Sequence, residues 1–290
     1  MNKVLKTLTK LIPDKLFISI KYRLKFGKSI NWKNPVTYNE KLQWLKIYNR
    51  RPEYCDMVDK YSVRKYVSDK IGEEYLIPLL GVWESVEDID FSSLPEQFVL
   101  KCTHDCGSVI ICKDKSAFDI EAAKKKLAAA MKKNYYWGER EWPYKTVKPR
   151  IVAEKYMQDS VSAELRDYKL FCFNGEPRTV LVCADRFLKG GLKENFYDLD
   201  WNLMPVQRPK HSNADYDIPK PASLDLMTEL ARRLSENHPF VRVDFYEVDG
   251  LVYFGEITFY PNAGFEGFVP EEWDKTFGEW ISLPKSKGEK

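Results

Sequence analysis

The 290-residue chain predicts an α+β fold, on three observations. Apolar residues recur at helical spacing through the first third. Later segments read as short apolar strands that return on themselves. The dipeptides Asn174-Gly175 and Asp249-Gly250 sit between such strands and mark antiparallel hairpins. Apolar residues make up 44% of the chain, enough for a sizeable buried core. Charged residues are 31% and leave a net charge of only +3, which argues against nucleic-acid binding by bulk charge.

The positive excess is local. Lys3, Lys6, Lys10, Lys15, Lys21, Arg23, Lys25, Lys28 and Lys33 face only Asp14 in the same stretch. Leu5, Leu8, Leu11, Ile12, Leu16, Phe17, Ile20 and Leu24 lie between them. Residues 1–30 therefore read as a basic amphipathic helix, either packed on the body or lying as a peripheral contact on an anionic membrane surface. No apolar run nears the ~20 residues of a membrane span. Nor does the start of the chain read as an apolar leader with a cleavage site, so the expectation is a cytoplasmic protein with reduced thiols. Cys102, His104, Cys106 and Cys112 are spaced too loosely for a zinc site.

Asn34-Pro35 ends the first helical stretch, and Thr37 with Glu40 forms a capping-box signal for the next. Residues 57–70 read as one further helix, Tyr75–Leu80 and Gly81–Trp83 as short extended pieces around Pro78, and residues 31–94 as a mainly helical region. Phe98–Cys102 is a strand, Thr103–Ser108 a polar loop around Gly107, and Val109–Cys112 the returning strand. Ile120–Lys133 is an Ala/Lys-rich helix and Ile151–Glu154 an apolar strand. This order makes 95–157 a small lid-like unit. Residues 158–283 form the core, with strands at 167–174 and 179–184, a helix at 224–235 and a hairpin at 241–257. Residues 284–290 are a charged tail.

The last hairpin carries the strongest chemistry. Arg242 and Asp244 share one face of their strand, as do Glu256 and Thr258 on the return, with Asn262 just beyond. Facing carboxylates repel unless a cation lies between them, and hard oxygen donors suit Mg²⁺. Arg242 beside them suits an anion. Lys101, at the end of an apolar strand before the Thr103–Ser108 loop, has the charge and backbone donors to grip phosphates, without P-loop spacing. Glu154-Lys155-Tyr156-Met157 leaves a sheet edge, where backbone groups can read an adenine. Lys60, beside Asp59 on a helix, reads by itself as a surface lysine, and the basic residues Arg166, Lys169, Arg178, Arg186, Lys189 and Lys193 are open to two readings, solvated charge or substrate contact.

Taken in order, these segments resemble the ATP-grasp superfamily, and more narrowly its TupA-like group, linked to teichuronopeptide and other bacterial surface polysaccharides. The likeness runs through Asp59-Lys60, Phe98-Val99-Leu100-Lys101, Glu154–Met157, Asp167-Tyr168-Lys169, Arg242-Val243-Asp244-Phe245 and Glu256-Ile257-Thr258. Asn34–Lys41, Pro78–Trp83 and Leu94–Phe98 add to it.

The resemblance implies two α+β subdomains clasping ATP and Mg²⁺. Lys60 and Lys101 would bind the phosphates, with the loop through His104, Gly107 and Ser108 closing over them. Glu154, Lys155, Tyr156 and Met157 would hold adenine. Asp167 would take the ribose hydroxyls, with Lys169 beside it. Asp244 and Glu256 would bind metal, with Thr258 or Asn262 as a third ligand. Arg242 would steady the transferred phosphoryl group. Thr258 stands where many relatives have Asn, and the helical start departs from the usual α/β first domain. The implied activity is carboxylate–amine ligation on a glycan carboxylate, with a small amine or amino acid as partner. A kinase on the same ATP site and a sugar-nucleotide glycosyltransferase are the alternatives.

Overall fold

The computed structural model describes residues 9–160, 165–186 and 190–285. Lys3 and Lys6, Lys189 and the tail beyond 285 lie outside the described residues. The elements run in order α1 (Asp14–Phe26), α2 (Tyr38–Tyr48), α3 (Tyr54–Val58), α4 (Val63–Lys70), β1 (Leu79–Trp83), β2 (Phe98–Cys102), β3 (Ile110–Cys112), α5 (Ile120–Met131), α6 (Tyr136–Glu139) and β4 (Ile151–Lys155). They continue with β5 (Asp167–Phe173), β6 (Glu176–Ala184), β7 (Lys193–Tyr197), α7 (Leu224–Ser235), β8 (Phe240–Val248), β9 (Leu251–Thr258) and α8 (Glu272–Glu279).

Two antiparallel sheets organise the chain. The smaller is ordered β1-β4-β2-β3, the larger β7-β6-β5-β8-β9. Each has its own core. Phe98, Leu100, Cys102, Ile151 and Ala153 of the small sheet pack with Leu127 and Ala130 of α5. The large sheet buries every residue of β5 and joins α2–α4 and α7 in one larger core. α7 earns its place by pattern: Leu224, Met227, Leu230, Ala231 and Leu234 form one buried stripe. A third, small cluster sets Ile18 and Tyr22 of α1 against Ala263 and Phe265.

The helix read over residues 57–70 is in fact two. Asp59 takes an extended conformation, and its Oδ1 accepts from the N–H groups of Tyr61 (2.8 Å) and Ser62 (2.7 Å). Its other oxygen accepts from Thr103 Oγ1 at 3.0 Å. A short carboxylate that satisfies local N–H groups competes with the helix ladder and ends it. The residues before 95 also hold more than helices. β1 pairs with β4, and Leu76 just ahead of it bridges to Phe254 of β9. That segment ties the two sheets together.

α2 begins with the capping box expected at Thr37 and Glu40. Its buried Gln43 and Lys46 donate to the carbonyls of Ala263 and Gly264, pinning the loop after β9. Among the described residues, no helix is long and apolar enough to cross a membrane.

Candidate functional site

Between the two sheets lies a cavity of about 240 Å³. The small sheet supplies Lys101 and Glu154 to its wall, and the large sheet supplies Asp167, Lys169, Asp244 and Glu256. Lys60 and Arg64 come from the α3–α4 corner, Cys106 and Gly107 from the loop, and Leu76 with Ile77 from the connecting segment. The cavity thus gathers residues spread from 60 to 256 along the chain.

Strand register explains the acidic side. Asp244 stands directly opposite Glu256, and Lys169 opposite Asp244. The pairing shifts right after Asp244, so Gly255 is an extra residue in β9. Such a bulge re-aims the neighbouring side chain. A Cβ at Gly255 would come within 3.1 Å of the Asp244 carbonyl, so the close approach depends on glycine.

The charges form one network. Arg242 donates to both Asp244 oxygens at 2.7 Å, to Glu256 Oε1 at 2.7 Å and to Thr258 Oγ1 at 3.1 Å. Lys169 Nζ bridges Asp167 and Asp244, at 2.5 Å to each. Arg186 reaches Asp167 at 3.1 Å. Asp167, Lys169, Arg242 and Asp244 are all buried. Burial would raise Glu256, but the charges of Arg242, Lys169 and Lys60 outweigh it and hold its carboxyl at about 2. In Asp244 burial wins and the carboxyl is pushed up.

Two observations bear on whether Mg²⁺ fits here. Asp167 Oδ1 is buried with no hydrogen-bond partner. Asp244 and Glu256 are adjacent oxygen donors, and Thr258 Oγ1 donates to Glu256 at 3.2 Å. No cluster of three or more His, Cys, Asp or Glu side chains suited to a metal occurs among the described residues. A pair of carboxylates is what Mg²⁺ commonly takes when phosphates and water complete its shell. The donor set fits on that basis.

On the cationic side, Lys101 pairs with Glu154, and Arg64 lies 3.9 Å from the same carboxylate. Lys60 donates its backbone N–H to Thr103 C=O (3.1 Å) and its ammonium to Asp105 C=O. The loop it holds turns at Gly107, whose φ of +111° suits glycine. Ser108 Oγ accepts from Cys102 N–H (2.9 Å) and donates to Asp105 (2.6 Å), so its hydroxyl shapes the loop.

Several residues sit elsewhere than the sequence suggests. His104 is buried, with Nε2 3.1 Å from the Lys133 carbonyl, and does not line the cavity. Asn262 bonds the Glu266 carboxylate in the loop pinned by α2, so it too stands off from the carboxylate pair. β4 is an inner strand, and Lys155 N–H donates to Pro78 C=O at 3.0 Å. Of Glu154, Lys155, Tyr156 and Met157, only Glu154 lines the cavity, and it does so from inside the sheet and not from an edge. Lys155 itself points to solvent. Arg64, Gly255 and Tyr246 were missed; only Arg64 left a signal, one helical turn beyond Lys60.

The family model for TupA-like ATPgrasp matches residues 40–282. No curated protein matches the chain at a significant level. Among solved structures, similar ones include D-alanine–D-alanine ligase from Bacillus anthracis complexed with ATP, at 15% identity and TM-score 0.39. That match covers 70% of this chain, which spans about half (53%) of that one. A RimK domain ATP-grasp protein from Sphaerobacter thermophilus gives 12% identity and TM-score 0.43, covering 81% and 70% of the two chains. The ATP-grasp ligase PsnB complexed with minimal precursor, Mg and ADP gives 11% and 0.39, covering 76% and 57%.

Proposed function

Because the chain belongs to the TupA-like ATP-grasp family, we propose that it is an ATP- and Mg²⁺-dependent, ADP-forming carboxylate–amine ligase. The acceptor is a uronic-acid carboxylate of a surface polysaccharide or its precursor, and the nucleophile an amino acid or small amine. One observation carries this reading: a cavity in which Lys101 of the small sheet and Lys60 of the α3–α4 corner face a carboxylate pair from the large sheet.

In that cavity Lys60 and Lys101 bind phosphate oxygens, exchanging the Asp105 carbonyl and the Glu154 carboxylate for them. Asp244 and Glu256, with Thr258, would hold Mg²⁺, which when bound neutralises phosphate charge as it shifts in the reaction. Arg242 keeps both carboxylates oriented. Its Nη1 has no partner among the described residues and is the donor left to meet the transferred phosphoryl group. The acceptor carboxylate takes that group from ATP, releasing ADP and forming an acyl phosphate. The amine then attacks the acyl carbon, a C–N bond forms as the acyl C–O bond breaks, phosphate leaves with that bond's electron pair, and the nitrogen's proton passes to solvent. Ligand pockets usually span about 300–1,000 Å³, so at about 240 Å³ this one takes a nucleotide as the loop through Gly107 lifts.

The test is to supply ATP, Mg²⁺, a panel of uronic-acid glycosides and hydroxylamine as a trap. ADP and phosphate in equal amounts, with a hydroxamate, are expected, and Glu256→Gln should lower both about 10²–10³-fold. ADP with a stable phosphoester would make the protein a kinase. Transfer from a sugar nucleotide without ATP would make it a glycosyltransferase. Failure to bind ATP at all would remove the site assignments.

A peripheral membrane contact is a second part of the proposal, on one specific observation. Leu16, Ile20 and Leu24 form an exposed stripe on α1 (53%, 46% and 82%), with Arg23 and Lys25 in the helix's last turn. An apolar stripe edged by cations suits anionic lipid headgroups. Sedimentation with phosphatidylglycerol vesicles, lost on Leu16→Ser/Leu24→Ser, is the expected result; equal recovery with phosphatidylcholine alone would refute it.

A further inference from the structure

A second cavity, of about 600 Å³, adjoins the first and shares Cys106 and Gly107 with it as a common wall. Its size lies within the usual range for a small-molecule site. Lys10, Lys126, Lys133, Tyr135 and Trp137 line it together with the loop.

Its charge balance is uneven. Lys126 Nζ donates to the Val109 carbonyl at 2.9 Å, which leaves two of its three donor hydrogens. Lys10 lies over the Trp137 ring at 5.2 Å. None of Lys10, Lys126 and Lys133 pairs with a carboxylate among the described residues. The two acids in the wall are engaged elsewhere: Glu139 pairs with Lys21, and Asp105 accepts from Ser108. The cavity therefore offers positive charge that no carboxylate pairs, with Trp137 in its wall, which suits an anionic ligand.

Its position matters as much as its lining. Val109, against which Lys126 rests, also lines the first cavity. Cys106 lines both cavities, with Lys60 and Glu256 on one side and Tyr135 on the other. An anion held by Lys126 would thus stand across one loop from the carboxylate pair.

We propose that this second cavity is the acceptor site, in which Lys126 and Lys133 hold a carboxylate-bearing sugar and Trp137 lines its ring. The proposal rests on the ligase reading, since it needs an acceptor carboxylate next to the transferred phosphoryl group.

The experiment is saturation-transfer NMR of D-glucuronate with the full-length protein, with and without Mg²⁺ and a non-hydrolysable ATP analogue. D-glucose is the neutral control, and the analogue's own affinity is measured separately. Glucuronate is expected to bind with the analogue present, and glucose far less. Lys126→Gln/Lys133→Gln should weaken glucuronate about tenfold or more, the scale of a lost charged hydrogen bond. The same variant should bind the analogue as the wild type does, which also reports that it folds. Competition between glucuronate and the analogue would overturn the proposal, as would an unchanged affinity in the double variant or no saturable binding to the wild type. Loss of analogue binding by the wild type would instead sink the ligase reading itself.

Discussion

The two sheets around the cavity differ in how they hold charge. In the large sheet Asp167, Lys169, Arg242 and Asp244 are packed into a strand system buried on nearly every position. In the small sheet Lys101 and Glu154 pair at the edge of the cavity, and β2 alternates buried with half-buried residues. Buried charges are costly unless fully partnered, so the first group is rigid by necessity. In the second group Glu154 is buried as well, but the Lys101 side chain stays 19% exposed at the cavity and Arg64 also faces that carboxylate, so the ammonium can exchange partners more readily. A clamp needs both: a fixed acidic anvil and a cationic jaw that opens.

The comparison breaks most visibly at Arg242. Arg242→Ala would leave Asp244 buried without its guanidinium, at a cost of about 3–5 kcal/mol. Urea unfolding should register that loss, whereas Lys101→Ala should shift the midpoint less, since Arg64 still faces the Glu154 carboxylate. Equal losses from the two variants would erase the distinction between the sheets.

Glu256 separates chemistry from stability. Its side chain is 41% exposed to the cavity, although it belongs to the large sheet's network. Glu256→Gln should lower ADP formation about 10²–10³-fold, the scale of a lost electrostatic contact to the transition state. Its melting temperature should fall far less than that of Arg242→Ala. Full activity in this variant would remove Glu256 from the metal pair.

On the jaw, Lys60→Met and Lys101→Met should each weaken ATP binding about 10–100-fold, from a lost charged hydrogen bond of about 1.5–3 kcal/mol. Calorimetry with the non-hydrolysable analogue reads this directly. A variant that binds the analogue normally but loses turnover would move that lysine from binding to catalysis.

The smallest expected effect is in pH dependence, where two glutamates behave oppositely. Glu256 has its pKa depressed to about 2, so its contribution to stability is full above about 4.5 and is lost as the pH falls through 2. Burial, with help from Glu139 and Glu256, raises Glu141 to about 7 against the pull of Lys46. Stability tied to Glu141 is therefore full below about 4.5 and lost as the pH rises through 7. Glu141→Gln should flatten the stability profile between pH 5 and 8. An unchanged slope there would mean that Glu141 ionises without penalty.

Much of this was legible in the chain. The hairpin turns, the capping box at Thr37, the buried stripe of α7 and the shared faces of Arg242/Asp244 and Glu256/Thr258 all follow from local spacing. Local spacing has fixed periods, two along a strand and 3.6 along a helix, so a sequence states such facts directly. The sequence by itself thus determined the α+β class, the hairpin that bears the carboxylates and the family.

Tertiary structure decided what depends on partners far away in the chain. Asp59, whose carboxylate ends its helix by taking local N–H groups, is held in that pose by Thr103 and Arg150. His104 turns inward because a carbonyl of residue 133 waits there, and Asn262 stands aside because Gln43 and Lys46 pin its loop. The bulge at Gly255 and the shared wall of the two cavities likewise arise only when strands and loops are brought together. A buried polar group goes where its hydrogen bond is satisfied, and the satisfying group is rarely a sequence neighbour.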